Sequence, residues 1–339
     1  MSTLAQAVCM VAVVHLGFAA LGAVLPAPSR ALLDEQRGEL REIVVHYVPG
    51  TDFAEVPYRD FFRQLPEEVR IWVLVEQREH AEHFERSFGR SADPVVVGKP
   101  ITTWSRDRFA SCEGRVLLPP EPHLGGLRRT NDWLAPIVLA KATGIEAVKA
   151  PFHFDGGDFC ACAGRVLVSS AWRARNPDRS LEELLAMAES LFGQELLYLP
   201  DAPEHHIGMV LAPLGRKRIL VGDVRQGRKL APDGLVLNET EDIARRFDAV
   251  AERLRGEGFE VHRVPVLPTA QDFVWVSYTN AILADKVVYL PVYGFADLDR
   301  VAARVYRDLG FEVRPVDVSR TYPHGGALRC LVHVLARSP

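Results

Sequence analysis

The chain has 339 residues, 48% hydrophobic and 25% charged, with Lys+Arg 40 against Asp+Glu 44. That balance is globular, and the length suits one large or two smaller domains. A net charge of −4 leaves no basic excess to pull on phosphates, which argues against a nucleic-acid partner.

An apolar stretch comes first, Leu4 to Leu25, interrupted only by Gln6 and His15. It is long enough to span a bilayer, and it also resembles a signal-peptide core with Ala20-Leu21-Gly22 as a candidate cleavage site. No Lys or Arg precedes it; Arg30 is the first basic residue. A true signal here implies export or membrane contact through residues 4–25, and a mere extension implies a cytoplasmic protein. Pro26, Pro28 and Ser29 make a short linker. Residues 1–29 are therefore read as a leader or anchor, and 30–339 as a single folded domain.

From there the chain repeats itself. "REIVVHY" from Arg41, "CEGRVLL" from Cys112, "CAGRVLV" from Cys162, "KRILVGD" from Lys217 and "DKVVYLP" from Asp285 are short β-branched runs that predict buried strands. Helical spacing follows: Leu181, Leu184, Leu185, Ala188 and Leu191 share one face, as do Ile243, Phe247, Val250, Ala251 and Leu254 within Thr240–Leu254. Leu298, Val301, Ala302, Val305 and Leu309 form another such face, with Asp297 as its expected N-cap. Glycines 144, 193, 258 and 310 end the helices. A second strand then closes each unit: "EEVRIWVLV" from Glu67, "GIEAVKAP", "GQELLYLP", "GFEVHRVP" and "GFEVRPVD". Units this small must pack on one another to bury their apolar faces. Five copies predict one α/β domain closed around a pseudo-fivefold axis.

Segments that follow the closing strands then occupy equivalent places. They read "TTWSRDRF", "FHFDGGDF", "DAPEHHIG", "PTAQDFVWVSYTN" and "RTYPHGGALRC". Chemistry-bearing residues concentrate there. Cys330 is the candidate nucleophile; its thiol needs a cation or a base beside it to act at neutral pH. Gly325 and Gly326 allow a tight bend before it. His205 or His206 can supply the acid/base. Asp107 and Asp155 suit a planar cation, because carboxylates accept guanidinium N–H groups in pairs. Asp158 closes the Gly156-Gly157 turn. Each residue alone also has an ordinary structural reading. The five cysteines, Cys9, Cys112, Cys160, Cys162 and Cys330, are odd in number and irregularly spaced, which argues against a disulfide framework. Cys160-x-Cys162 has the wrong spacing for a zinc knuckle, so no metal is expected.

In order, the motifs W-x-R-D, Asp-Gly-Gly, H-I-G, "SYTNAILADKVVYLPVYG" and GG-x-x-x-Cys resemble the agmatine deiminase and bacterial peptidylarginine deiminase group of the guanidino-group modifying (pentein) superfamily. The resemblance runs from about residue 40 to the end. It implies a five-bladed α/β propeller of ββαβ units that works without a cofactor. It implies Cys330 as nucleophile, His206 as acid/base, and Asp107 and Asp155 as holders of the guanidinium. Trp104, Arg106, Asp158, Tyr278, Asn280 and Gly326 are then expected substrate-binding residues. The implied reaction converts a guanidino group of agmatine, arginine or a peptidyl arginine to a ureido product and ammonia. An amidinotransferase and a catalytically silent guanidine-binding protein are the alternatives. Two positions depart from the pattern. Gly208 stands where a third carboxylate usually grips the guanidinium, a loss of about 1.5–3 kcal/mol of binding unless another acid such as Asp272 replaces it. Arg329 stands before the cysteine where agmatine deiminases usually have histidine.

Overall fold

The computed structural model describes residues 31–122, 126–271 and 274–338. The apolar stretch 4–25 and Asp272 lie outside the described residues. Among those described, no helix is long and apolar enough to cross a membrane.

Five sheets repeat one construction. In the second blade Ala110–Cys112 runs antiparallel to Arg115–Leu118, which runs parallel to Glu146–Lys149. The third uses Phe159–Cys162, Arg165–Ser169 and Glu195–Leu199 in the same way. The fourth uses Leu211–Gly215, Arg218–Asp223 and Glu260–Pro268, and the fifth Ile282–Ala284, Val287–Val292 and Glu312–Asp317. Two strands that run parallel need a long crossover, and the predicted helices supply it.

Four of the five repeated signals mark a hairpin rather than one strand; the first, "REIVVHY", is the single strand Leu40–His46. The turns use positive φ: Gly114 at 75°, Ala163 at 50° with Gly164 at 80°, Arg216 at 50° with Lys217 at 59°, and Asp285 at 39°. Such tight primed turns match the twist of antiparallel strands. The strand before each turn is only three to five residues long, too short to leave an alternating pattern.

The first blade differs in connection. Leu40–His46 runs parallel to Arg70–Val75, but its antiparallel partner is Val332–Arg337, from the other end of the chain. Val45 faces Val332 and Ile43 faces Val334. The two ends therefore close the ring, which is why the first unit looks incomplete in sequence.

The helices follow the predicted faces. Leu181–Phe192 buries Leu184, Ala188 and Phe192, and begins in a capping box between Ser180 and Glu183. Glu241–Gly256 buries every predicted apolar position. In Ala296–Asp308 the cap is Phe295, not Asp297. Asp297 sits in the first turn, paired with Arg300. The turn is held instead by Asp299, whose carboxylate accepts from the Tyr293 and Gly294 amides at 2.9 and 3.0 Å.

Candidate active site on the blade axis

Cys330 lies in the one-turn helix Leu328–Leu331 and is 4% exposed. Gly325 before it adopts a left-handed φ of +83°. A Cβ on Gly326 would stand 2.6 Å from the Trp104 ring and 3.2 Å from Cβ of Cys330. The glycine pair thus makes one turn and one close approach. Across from the thiol, Asn280 places Nδ2 3.5 Å from Sγ, while its Oδ1 accepts from the Arg329 amide at 3.0 Å.

Asp155 and Asp158 flank the 3-10 turn Gly156–Asp158. A Cβ at Gly156 would collide with the carbonyls of Arg106 and Phe109, and one at Gly157 would stand 2.5 Å from Cγ of His206. Only glycine lets the acidic turn come this near the histidine. Asp155 accepts Arg108 on Oδ1 and Arg175 on Oδ2, both at 2.7 Å, with His206 Nε2 3.5 Å away. Burial alone would raise its pKa; His206, Arg108 and Arg175 overcome that and hold it well below the usual carboxylate range.

Asp107 is equally buried. Its Oδ2 takes Arg129 at 2.5 Å, and its buried Oδ1 has no hydrogen-bond partner among the described residues. Such an acceptor is costly unless something donates to it.

His206 turns inward. Burial lowers its pKa, but hydrogen bonds to Asp155 and Cys330, with the charges of Asp107 and Asp155, lift it to about 10. That field favours the imidazolium form. His205 packs its ring 4.9 Å from Trp275 and accepts the His206 amide at Nδ1.

A cavity of about 430 Å³ joins these groups. Trp104, Asp107, Asp155, His206 and Cys330 line it, together with Arg129, Arg175, Glu204, His205 and His324. Three residues expected to bind substrate lie elsewhere. Arg106 points away from the cavity, onto Glu35 at 2.6 Å and the Phe159 carbonyl. Tyr278 is fully buried in the largest core, its hydroxyl on Asp299 at 2.7 Å. Asp158 is fully buried behind Asp155, where Oδ2 accepts from the Asp155 amide and from Arg175 Nε, both at 2.8 Å.

Arg108, Arg129 and Arg175 were not legible as site residues. Arg129 lies 22 residues after Asp107, and Arg175 lies 20 after Asp155, each in a segment without a motif. Only Arg108 carried a hint, immediately after Asp107.

The two departures are physically linked. A Cβ at Gly208 would overlap Nη1 of Arg329. Arg329 fills the volume next to Gly208, so glycine there and arginine before the nucleophile are one adaptation. Cys160 and Cys162 are both buried in the strand Phe159–Cys162, and burial pushes the Cys160 thiol up to about 12. Among the described residues, no group of three or more His, Cys, Asp and Glu side chains is placed to hold a metal.

Five ββαβ blades around an axis that carries a cysteine, a histidine and two carboxylates define a protein of the guanidino-group modifying, pentein class. The model of the Porphyromonas-type peptidyl-arginine deiminase family matches residues 49–335, and the chain belongs to that family. A Legionella pneumophila (strain Paris) protein named provisionally as an agmatine deiminase is 22% identical over 317 residues, covering 85% of this chain and 88% of its own length. The solved C. jejuni agmatine deiminase superposes with a TM-score of 0.71 at 17% identity, over 90% of this chain and 95% of its own. A dimethylarginine dimethylaminohydrolase adduct matches at a TM-score of 0.53 and 15% identity, over 87% and 99%. These structural likenesses establish the fold.

Proposed function

We propose that the chain is a deiminase that hydrolyses a guanidino group to a ureido group and ammonia through a covalent intermediate on Cys330. The observation that carries this reading is the buried Asp107 Oδ1, without a hydrogen-bond partner among the described residues, in the same cavity as Cys330 and His206. It is an acceptor waiting for a cationic N–H donor. A C. jejuni agmatine deiminase variant solved with substrate bound shares the fold, at a TM-score of 0.71, which supports the same class of ligand here.

The chemistry follows from the groups that the cavity brings together. The Cys330 thiolate attacks the central guanidinium carbon and forms a C–S bond. His206, protonated at rest, gives its proton to the departing nitrogen; the C–N bond breaks and ammonia leaves. The neutral imidazole then takes a proton from water as the water attacks the thiouronium carbon. The C–S bond breaks as the new hydroxyl gives its remaining proton to solvent, where ammonia takes it up; the thiolate is restored and the neutral ureido product leaves. Acid/base assistance of this kind contributes about 10²–10⁴-fold. Asp107 and Asp155 orient the cation and favour its charge.

Incubation with agmatine, arginine and an arginine-containing peptide should release ammonia and a ureido product from at least one of them. Cys330→Ala should abolish release. No turnover of any, with Cys330→Ala binding guanidines as well as the parent does, would leave only a binding role. Ammonia-free transfer to glycine would make the chain an amidinotransferase.

A further inference from the structure

A short strap, residues 31–37, bridges several blades, touching Ser111, Ala161, Asp285 and Arg337, and lines none of the cavity around Cys330. It is tied down by the Leu33 amide on Ser111 O at 2.9 Å and the Glu35 amide on Ala161 O at 3.0 Å. Its one carboxylate that reaches the axis is Glu35, with a side chain 13% exposed. The same oxygen, Oε1, accepts Arg106 at 2.6 Å and Arg329 at 2.7 Å. Arg337 clasps the strap too, donating to the Glu35 carbonyl at 2.6 Å. Arg106 immediately precedes Asp107, and Arg329 immediately precedes Cys330. The two segments also touch directly, through the Arg106 amide on Cys330 O at 3.3 Å and Ser105 Oγ on Leu331 O at 2.7 Å.

We infer that Glu35 is a positioning residue for the reaction: through Arg329 and Arg106 it sets where Cys330 stands relative to Asp107. Neither arginine can find another anion easily. Both are nine-tenths buried or more, and their remaining side-chain acceptor is the shared Phe159 carbonyl, at 3.3 and 3.5 Å. Arg329 also fills the volume beside Gly208, so its displacement would leave a void two residues from His206. Glu35 itself is held ionised: burial opposes its charge, but Arg106, Arg329 and Arg337 bring its pKa down to about 2. Removing the carboxylate leaves buried cations without a counter-ion and frees both to move. A shift of about 1 Å at a nucleophile can cost on the order of 10²-fold in rate.

The proposal rests on the deiminase reading for its kinetic arm alone. The test is Glu35→Gln in the full chain, an isosteric change, with Glu35→Ala and Glu35→Asp beside it. Three quantities are measured: kcat and KM, the rate of iodoacetamide alkylation at Cys330 mapped by peptide mass, and thermal unfolding. The expectation for Glu35→Gln is a kcat reduced about 10- to 100-fold with KM changed less than about threefold. Cys330 alkylation at pH 7 should change by about fivefold or more, because the thiol moves relative to Asn280 and His206. Glu35→Asp should recover part of both. If Glu35→Gln lowers only the unfolding temperature, with kcat and alkylation within about twofold of the parent, the strap is merely structural and the inference is overturned. Should the parent turn over no guanidine, the deiminase reading fails, and the alkylation arm still decides the role of Glu35.

Discussion

At the residue scale, the axis is built by glycines that give up a side chain so that a larger one can come close. Gly157 yields to His206, Gly326 to Trp104 and Gly208 to Arg329. The Gly-Gly pairs were visible in the sequence, but the reason was not, since a clash depends on a residue tens or hundreds of positions away. The same holds for charge. Asp155 and His206 were readable as candidates, while their shared field was not. That field makes a prediction. The pKa of His206 is raised above 6.5 to about 10, so its proton stabilises the folded state fully below 6.5 and loses that effect as pH rises through 10. Imidazole NMR should show His206 still protonated at pH 8 in the parent. In Asp155→Asn the midpoint should drop toward 6.5, and an unchanged midpoint would remove Asp155 as the cause.

At the element scale, the five strand–helix–strand units were legible because each buries a β-branched run and an amphipathic helix face. The helix Glu241–Gly256 kept all its predicted core positions. The extra hairpin strands were missed, being three to five residues long and paired across a turn. The strap was missed for a different reason: a single Glu35 has no periodicity to read. Its influence on stability can be tested by pH. The folded pKa of Glu35 lies near 2, below its ordinary 4.5, so its contribution is present above 4.5 and vanishes as pH falls through 2. The gap in unfolding temperature between the parent and Glu35→Gln should therefore be full at pH 6 and close on acidification toward 2. A gap independent of pH would mean that packing, not charge, holds the strap.

At the scale of the whole molecule, closure depends on Val332–Arg337 joining Leu40–His46. Cys330 comes late in the chain because its turn leads straight into that closing strand. Tyr58 fastens the same joint, donating to both His46 O and Leu331 O at 3.1 and 3.0 Å. Val332 is 1% exposed against Val45. Val332→Asp would bury an unpaired carboxylate in this seam and should cost about 3 kcal/mol or more in urea unfolding. A cost below about 1 kcal/mol would show that the seam is not needed to close the ring.

By itself the sequence determined the repeat and the number of blades, and it marked Cys330, the His205–His206 pair, Asp107 and Asp155 as the candidate groups with chemistry to offer. These depend on local periodicity and on residue type, which neighbours in the chain reveal. Only the tertiary structure decided that Arg106, Tyr278 and Asp158 face away from the cavity and that Arg129 and Arg175 face into it. It alone linked Gly208 to Arg329 and Arg329 to Glu35. Those outcomes turn on which side chains meet across the axis. Burial there raises the cost of an unpaired charge until each cation finds an anion from another blade or from the strap.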